Sequence, residues 1–274
     1  MKTPIITLLV MLLVAMTSNA LNPSRTYKQR PDKYNMKYEE KKIKTNDGEA
    51  ELVSWYFPAK KKTTNLVLIA HNGEGNMADY LTRVSALLVN SNVVLFDYRG
   101  YGESSDFEID KDMYIYPHFQ DDLETMIDHC RKEHVATFNL YGWGMGGGLA
   151  LGVGFGRVEM NKIIADTPFL SMEDLEERFS SWDKPMEVPF KGYEKANEPL
   201  TAIQGEPGKN LAGVKLIIGS NDALYSSDDM VKLLKAAPKT FDKDIYVVKN
   251  PDRKDNFEID EEGYTIVLTE YFGK

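Results

Sequence analysis

Thr137-Phe138-Asn139-Leu140-Tyr141-Gly142-Trp143-Gly144-Met145-Gly146-Gly147-Gly148 is the stretch whose reading decides the fold. An apolar run of strand type ends in a cluster of glycines, and a second apolar run of helical length follows. A strand that turns sharply into a helix needs small residues where the two backbones nearly touch. Gly142 and Gly146 stand two before and two after Gly144, the frame of a G-x-S-x-G nucleophile elbow with glycine where the attacking hydroxyl would be. A residue without Cβ adopts the strained backbone of that position at little steric cost, so the substitution keeps the turn and removes the nucleophile.

On both sides of this turn, short β-branched runs alternate with helical patterns, which predicts an α/β fold with a mostly parallel central sheet flanked by helices. An antiparallel pair is expected over 41–57, turning at Asn46-Asp47-Gly48. Further strands are expected at 65–70, 93–96, 137–141, 162–165, 214–218 and 244–248, with helices at 77–90, 121–134, 146–158, 228–236 and 263–271. From about 169 to 211 the pattern lapses into charges, prolines and scattered aromatics and reads as a small lid insertion within a single domain over 21–274. Its aromatics Phe169, Phe179, Trp182, Phe190 and Tyr193 either line a pocket over the elbow or pin the lid to the sheet.

Lys2, the apolar run 5–16 and Ser18-Asn19-Ala20 read as a signal peptide over 1–20, which implies export to a periplasm or the medium. That run is shorter than the roughly 20 residues a membrane span needs, so no stable span is expected after cleavage, with an uncleaved anchor as the alternative. The chain carries a formal charge of -9, and Lys60-Lys61-Lys62 is its one tight basic cluster, which argues against nucleic acid or an anionic membrane as partner. The single cysteine, Cys130, excludes an internal disulfide, and no Cys/His set has zinc spacing, so neither metal nor cofactor is expected.

Gly142-x-Gly144-x-x-Gly147 also fits a dinucleotide-binding fingerprint, and Asp166, 19 residues past Gly147, stands at the distance of a ribose-binding carboxylate. That fingerprint usually opens the first βα unit of its domain, whereas two or more strands precede it here.

His71-Asn72-Gly73-Glu74-Gly75-Asn76 follows one central strand, Asp97-Tyr98-Arg99-Gly100-Tyr101-Gly102-Glu103-Ser104 the next, and Gly219-Ser220-Asn221-Asp222 a late one. With the elbow, and in this order, these segments resemble the α/β-hydrolase family, near its small single-domain esterase and peptidase-like members, over roughly residues 41–256. The resemblance puts Gly144 at the nucleophile position, Met145 and the Asn72-Gly73 loop at the oxyanion hole, and Asp222 at the acid that orients the catalytic histidine. The family carries glycine directly after the histidine of its loop, where this chain has Asn72. Asp222 has a plain alternative as a turn aspartate capping the next segment.

The catalytic histidine of this family lies after the last strand, where the chain reads Lys249-Asn250-Pro251-Asp252-Arg253-Lys254-Asp255-Asn256. No histidine follows His134, and Arg253 or Lys254 stands about where the imidazole belongs. Arginine stays protonated and cannot act as the base at neutral pH, and lysine does so only with a depressed pKa. His71 reads as ordering its loop, and His118, His129 and His134 as lying on or beside a flanking helix. Ser104, Ser220, Ser226 and Ser227 lie near strand ends without an evident base.

The reading is therefore an exported α/β-hydrolase-like protein without triad serine or histidine, acting by binding a small apolar or ester-like ligand or a protein partner. A working esterase or peptidase with a rearranged site and a nucleotide-binding protein are its alternatives.

Overall fold

Period-two burial builds the sheet: Leu66, Leu68 and Ala70 join one hydrophobic cluster, while Val67 and Ile69 between them join the other. The computed structural model describes residues 21–133, 137–250 and 255–273. The leader read at 1–20 lies outside the described residues.

A two-residue strand β1 (Asn22–Pro23) pairs in parallel with β5 (Glu74–Gly75). The main sheet starts with the antiparallel pair β2 (Glu39–Lys44) and β3 (Glu51–Phe57), with Gly48 at φ 76° in the connecting turn. It continues through β4 (Asn65–Ala70), β6 (Asn92–Phe96), β7 (Thr137–Trp143), β8 (Met160–Asp166), β9 (Gly213–Gly219) and β10 (Asp242–Val248). The eight strands lie in the order β2-β3-β6-β4-β7-β8-β9-β10, and all from β6 to β10 run parallel. This is the mixed, mostly parallel sheet expected from the alternation.

Helices cover both faces. Val84 and Leu87 of α1 (Leu81–Leu87), Phe257 of α7 (Asn256–Ile259) and Leu268 of α8 (Glu261–Gly273) belong to the smaller cluster. The larger cluster takes Leu123 and Met126 of α2 (His118–Glu133), Leu149 of α3 (Met145–Gly154) and Leu233 of α6 (Ser227–Ala236).

Two helices are shorter than the periodicity implies. The segment 77–90 splits into a 3-10 turn at Met77–Tyr80, set by a reciprocal Asn76–Asp79 capping box, followed by α1. The helix after the elbow ends at Gly154 instead of 158, because Arg157 and Met160 turn back onto the Gly154 and Arg157 carbonyls.

The stretch 169–211 contains α4 (Met172–Phe179), a 3-10 turn at Lys195–Asn197 and α5 (Pro199–Gln204). It docks on α3 through that helix's glycines. A Cβ at Gly148 would lie 2.2 Å from the Phe169 ring, and one at Gly152 1.8 Å from the Asn197 carbonyl oxygen. The glycine excess after the elbow is thus a landing face for the 169–211 stretch. Among the described residues no helix is long and apolar enough to cross a membrane.

Candidate functional site

Gly144 N-caps α3 at φ 56° and ψ −122°, a backbone that L side chains rarely adopt. It stands between the end of β7 and the start of α3, and its N–H donates to the Asp166 carbonyl at 2.8 Å. The flanking glycines are sterically required: a Cβ on Gly142 would lie 2.0 Å from the Gly146 carbonyl oxygen, and one on Gly146 2.2 Å from that of Ala70. At Gly144, among the described residues beyond its own chain neighbours, such a Cβ would meet Asn72 Cβ at 3.3 Å. The turn is therefore far tighter at Gly142 and Gly146 than where a side chain of residue 144 would project. Met145, as the first residue of α3, has an N–H without an acceptor inside its helix.

The 71–76 loop beside it is closed on itself. Asn72 N–H donates to the Tyr80 hydroxyl at 2.9 Å, and Gly73 N–H to His71 Nδ1 at 3.2 Å. The Gly73 carbonyl accepts from the Tyr101 hydroxyl and from Asn22 N–H, both at 2.9 Å. His71 is packed between Tyr98 and Tyr101, and burial pushes its pKa down to about 3. Because Nδ1 accepts, Nε2 carries the proton, 3.8 Å from the buried Asp97 carboxylate. Burial in turn raises Asp97 to about 7, although it accepts from Met77 N–H and the Tyr27 hydroxyl. His71 thus orders its loop as a neutral imidazole.

Asn72 and Trp143, the residues on either side of Gly144 in space and sequence, line a cleft of about 310 Å³. Its floor holds Arg83, whose guanidinium lies over the rings of Tyr80, Trp143 and Phe257 at 4.8, 5.2 and 4.6 Å and pairs with Asp255. Glu74, Asp79, Glu258 and Glu261 complete a strongly acidic wall. Burial, Asp255 and Asp79 all push the Glu74 pKa up.

Behind the elbow runs a buried relay. Arg83 Nε donates to the Tyr141 hydroxyl at 3.1 Å, Tyr141 to the Tyr264 hydroxyl at 3.0 Å, and Tyr264 to Asp166 at 2.6 Å. The other Asp166 oxygen accepts from Thr167 and from Asn256 Nδ2, and Asn256 accepts from Asn250 Nδ2. Burial raises Asp166 to about 7. Both Asp166 oxygens are occupied in the interior, so this carboxylate offers no face to a ribose, and Gly147 is explained by close packing. A Cβ there would lie 2.7 Å from the Asp166 carbonyl oxygen.

Asp222 follows β9, with Oδ1 accepting from Leu224 and Tyr225 N–H, both at 2.9 Å, so it does cap its own turn. Arg253, Lys254 and His134 lie outside the described residues. Asp255, at the described end of the same loop, lines the cleft and N-caps α7 through Phe257 N–H. The aromatics of 169–211 divide: Phe169, Phe179 and Tyr193 are buried in the larger cluster, Trp182 packs on its margin, and Phe190 is 49% exposed. Ser104 is buried, bonding the Asp97 carbonyl and Val53 N–H, and Ser226 caps α6. Among the described residues no cluster of His, Cys, Asp or Glu is placed to hold a metal.

Sequence reasoning missed Arg83 and Asp255. A charge on the apolar face of the 77–90 segment, one turn from Tyr80 and Leu87, was the available signal for Arg83.

No family model matches the chain. It is 28% identical over 162 residues to the protein bem46 of Schizosaccharomyces pombe, covering 56% of this chain. The chain spans about half the length of that curated relative, 51%. A Pyrococcus furiosus esterase superposes with TM-score 0.72 at 18% identity, over 92% of this chain and 97% of its own. The esterase domain of a Rhodothermus marinus protein follows at 0.62 and 15%, over 87% and 97%. An α/β serine hydrolase without a lid, from Xanthomonas campestris, superposes at 0.56 and 16%, over 86% and 95%.

Proposed function

Given that this chain has the α/β-hydrolase fold, we propose that it works by binding instead of acyl transfer: an exported pseudo-hydrolase that takes a small apolar or ester-like ligand, or a protein partner, at its elbow. The observation that carries this reading is Gly144, which holds the elbow backbone with no hydroxyl while the neighbouring Asn72 and Gly73 amides are already hydrogen-bonded within the fold. Triad members act as a unit, and enzymes stripped of them retain only about 10³ to 10⁴ of acceleration over water. Asp222 alone supplies neither nucleophile nor base.

Esterases among the solved neighbours make ester-like compounds the first ligands to try, and the rings of Trp143, Tyr80 and Phe257 give the cleft apolar walls. The test is turnover of p-nitrophenyl acetate and butyrate together with fluorophosphonate labelling of purified protein. Background rates and no labelled serine are expected, and an ordinary enzymatic rate with one labelled serine would overturn the reading. Mass spectrometry of extracted ligands and pull-down from the export compartment then separate a small ligand from a protein partner. N-terminal sequencing tests export, where a retained Met1 counts against it.

A working hydrolase with a rearranged site draws on the exposed residue Ser220, whose hydroxyl accepts from Asn250 N–H at 3.0 Å at the start of the loop after β10. It requires activity that survives purification and disappears in Ser220→Ala or Asp222→Asn.

A further inference from the structure

β10 closes one side of the sheet, and among the described residues no strand pairs with its outer edge. Such an edge is a template for another chain unless charges or bulges blunt it. The two halves of β10 differ in this respect. In the first half Asp242 is exposed, and Lys243 is tied back to the Ala237 and Pro238 carbonyls. Asp244 pairs with Lys215 and accepts Ile245 N–H, which is thereby spent outside the strand ladder. The second half, Ile245-Tyr246-Val247-Val248, carries no charge and leaves Val247 48% exposed.

Beside this edge α6 and β10 frame an open groove of about 510 Å³ with Val231, Leu234, Ala237 and Ile245 along it, and with Lys243 and the Lys215-paired Asp244 at its β10 side. Lys235 and Lys239 stand exposed on its rim, and neither has a carboxylate at ion-pair distance among the described residues. In a chain of charge -9 a lining of Lys235, Lys239 and Lys243 against the single carboxylate Asp244 is a local reversal of sign.

We infer that the β10 edge and the α6 groove form a docking surface for an extended, acidic segment of a protein partner, added as a further strand against the outward-facing Ile245 carbonyl and the Val247 N–H and carbonyl. Main-chain hydrogen bonds to the open edge supply affinity, and alternate side chains select the partner. Apolar residues of the segment enter the groove, while its carboxylates meet Lys235 and Lys239. A second copy of this chain fits less well, because an isologous pairing brings the two lysine rims toward each other. The surface is separate from the elbow cleft, so it stands or falls independently of the proposed function.

The probe is a fluorescein-labelled peptide of about ten residues alternating glutamate and valine, titrated into the full chain by fluorescence polarisation, with a lysine–valine peptide as control. Saturable binding of the acidic peptide alone is expected, weakening by about tenfold or more in Lys235→Glu/Lys239→Glu and in Val247→Asp. These exposed positions leave the fold intact, which thermal melts verify. No saturable binding, equal binding of both peptides, or affinity unchanged in both variants overturns the inference. So does a dimer by light scattering that Val247→Asp dissociates, since the surface is then occupied by a second copy.

Discussion

The Cβ that Gly144 lacks would point at Asn72, 3.3 Å from that residue's own Cβ, and Asn72 in turn gives its amide N–H to Tyr80. A side chain at the elbow therefore fits only if Asn72 gives by a few tenths of an ångström, and both loop amides beside it, Asn72 and Gly73, are already engaged.

Gly144→Ser is expected to fold, at a cost of about 1–3 kcal/mol for a non-glycine residue in a left-handed backbone. Esterase activity should remain at background, because no base accompanies the new hydroxyl. Adding histidine at Asp252, Arg253 or Lys254 is the combination expected to recover measurable turnover. Urea unfolding reads the first effect, and p-nitrophenyl acetate hydrolysis the second.

Gly146→Ala should be severe, since its Cβ would meet the Ala70 and His71 carbonyl oxygens at 2.2 and 2.5 Å. Loss of more than about 4 kcal/mol, or failure to accumulate as soluble protein, is expected. Gly156→Ala, whose nearest neighbour would be 3.8 Å away, is the matched control and should melt within a few degrees of the parent.

Removing Arg83 as Arg83→Met leaves Asp255 without its cation and strips three aromatic faces of a guanidinium. A destabilisation of about 3–5 kcal/mol is expected by urea titration. Arg83→Met/Asp255→Asn should recover part of it, because the stranded charge is gone. Equal loss in the single and double variants would show that ring contacts alone hold this corner.

The pH dependence follows from two opposite burial effects. Asp166 keeps its proton to about pH 7 in the folded chain, whereas an unfolded aspartate loses it near 4. Between those values the native state binds more protons, so this group's contribution falls as pH rises, by at most about 1.4 kcal/mol per pH unit. His71, pushed down to about 3, acts the other way: the unfolded imidazole takes a proton below about 6.5 and the native one does not, so stability falls with acid. Unfolding free energy measured from pH 4.5 to 7.5 should therefore decline less, or rise, in Asp166→Asn. Parallel profiles for the two proteins would contradict the raised Asp166 pKa.

Short-range pattern was enough for the sheet, the elbow and its glycines. Short, continuous apolar runs such as 66–70 and 93–96 mark the central strands, and the Gly142, Gly144, Gly146 spacing is a local backbone requirement that sequence displays directly. The remaining glycines at 148 and 152 read only as helix composition, because the Phe169 ring and Asn197 carbonyl that press on them lie 21 and 45 residues further along the chain.

What the sequence by itself determined is the α/β architecture and the absent hydroxyl at Gly144, since both follow from residue identity and near-neighbour spacing. Only the tertiary structure decided what surrounds that glycine. Arg83 meets Asp255 across 172 residues, and Asp166 meets Tyr264 across 98. Such pairs depend on how α1, α7 and α8 settle together on one face of the sheet. No local pattern records that packing, and it alone turns scattered charged and phenolic residues into a cleft and a buried relay beside the elbow.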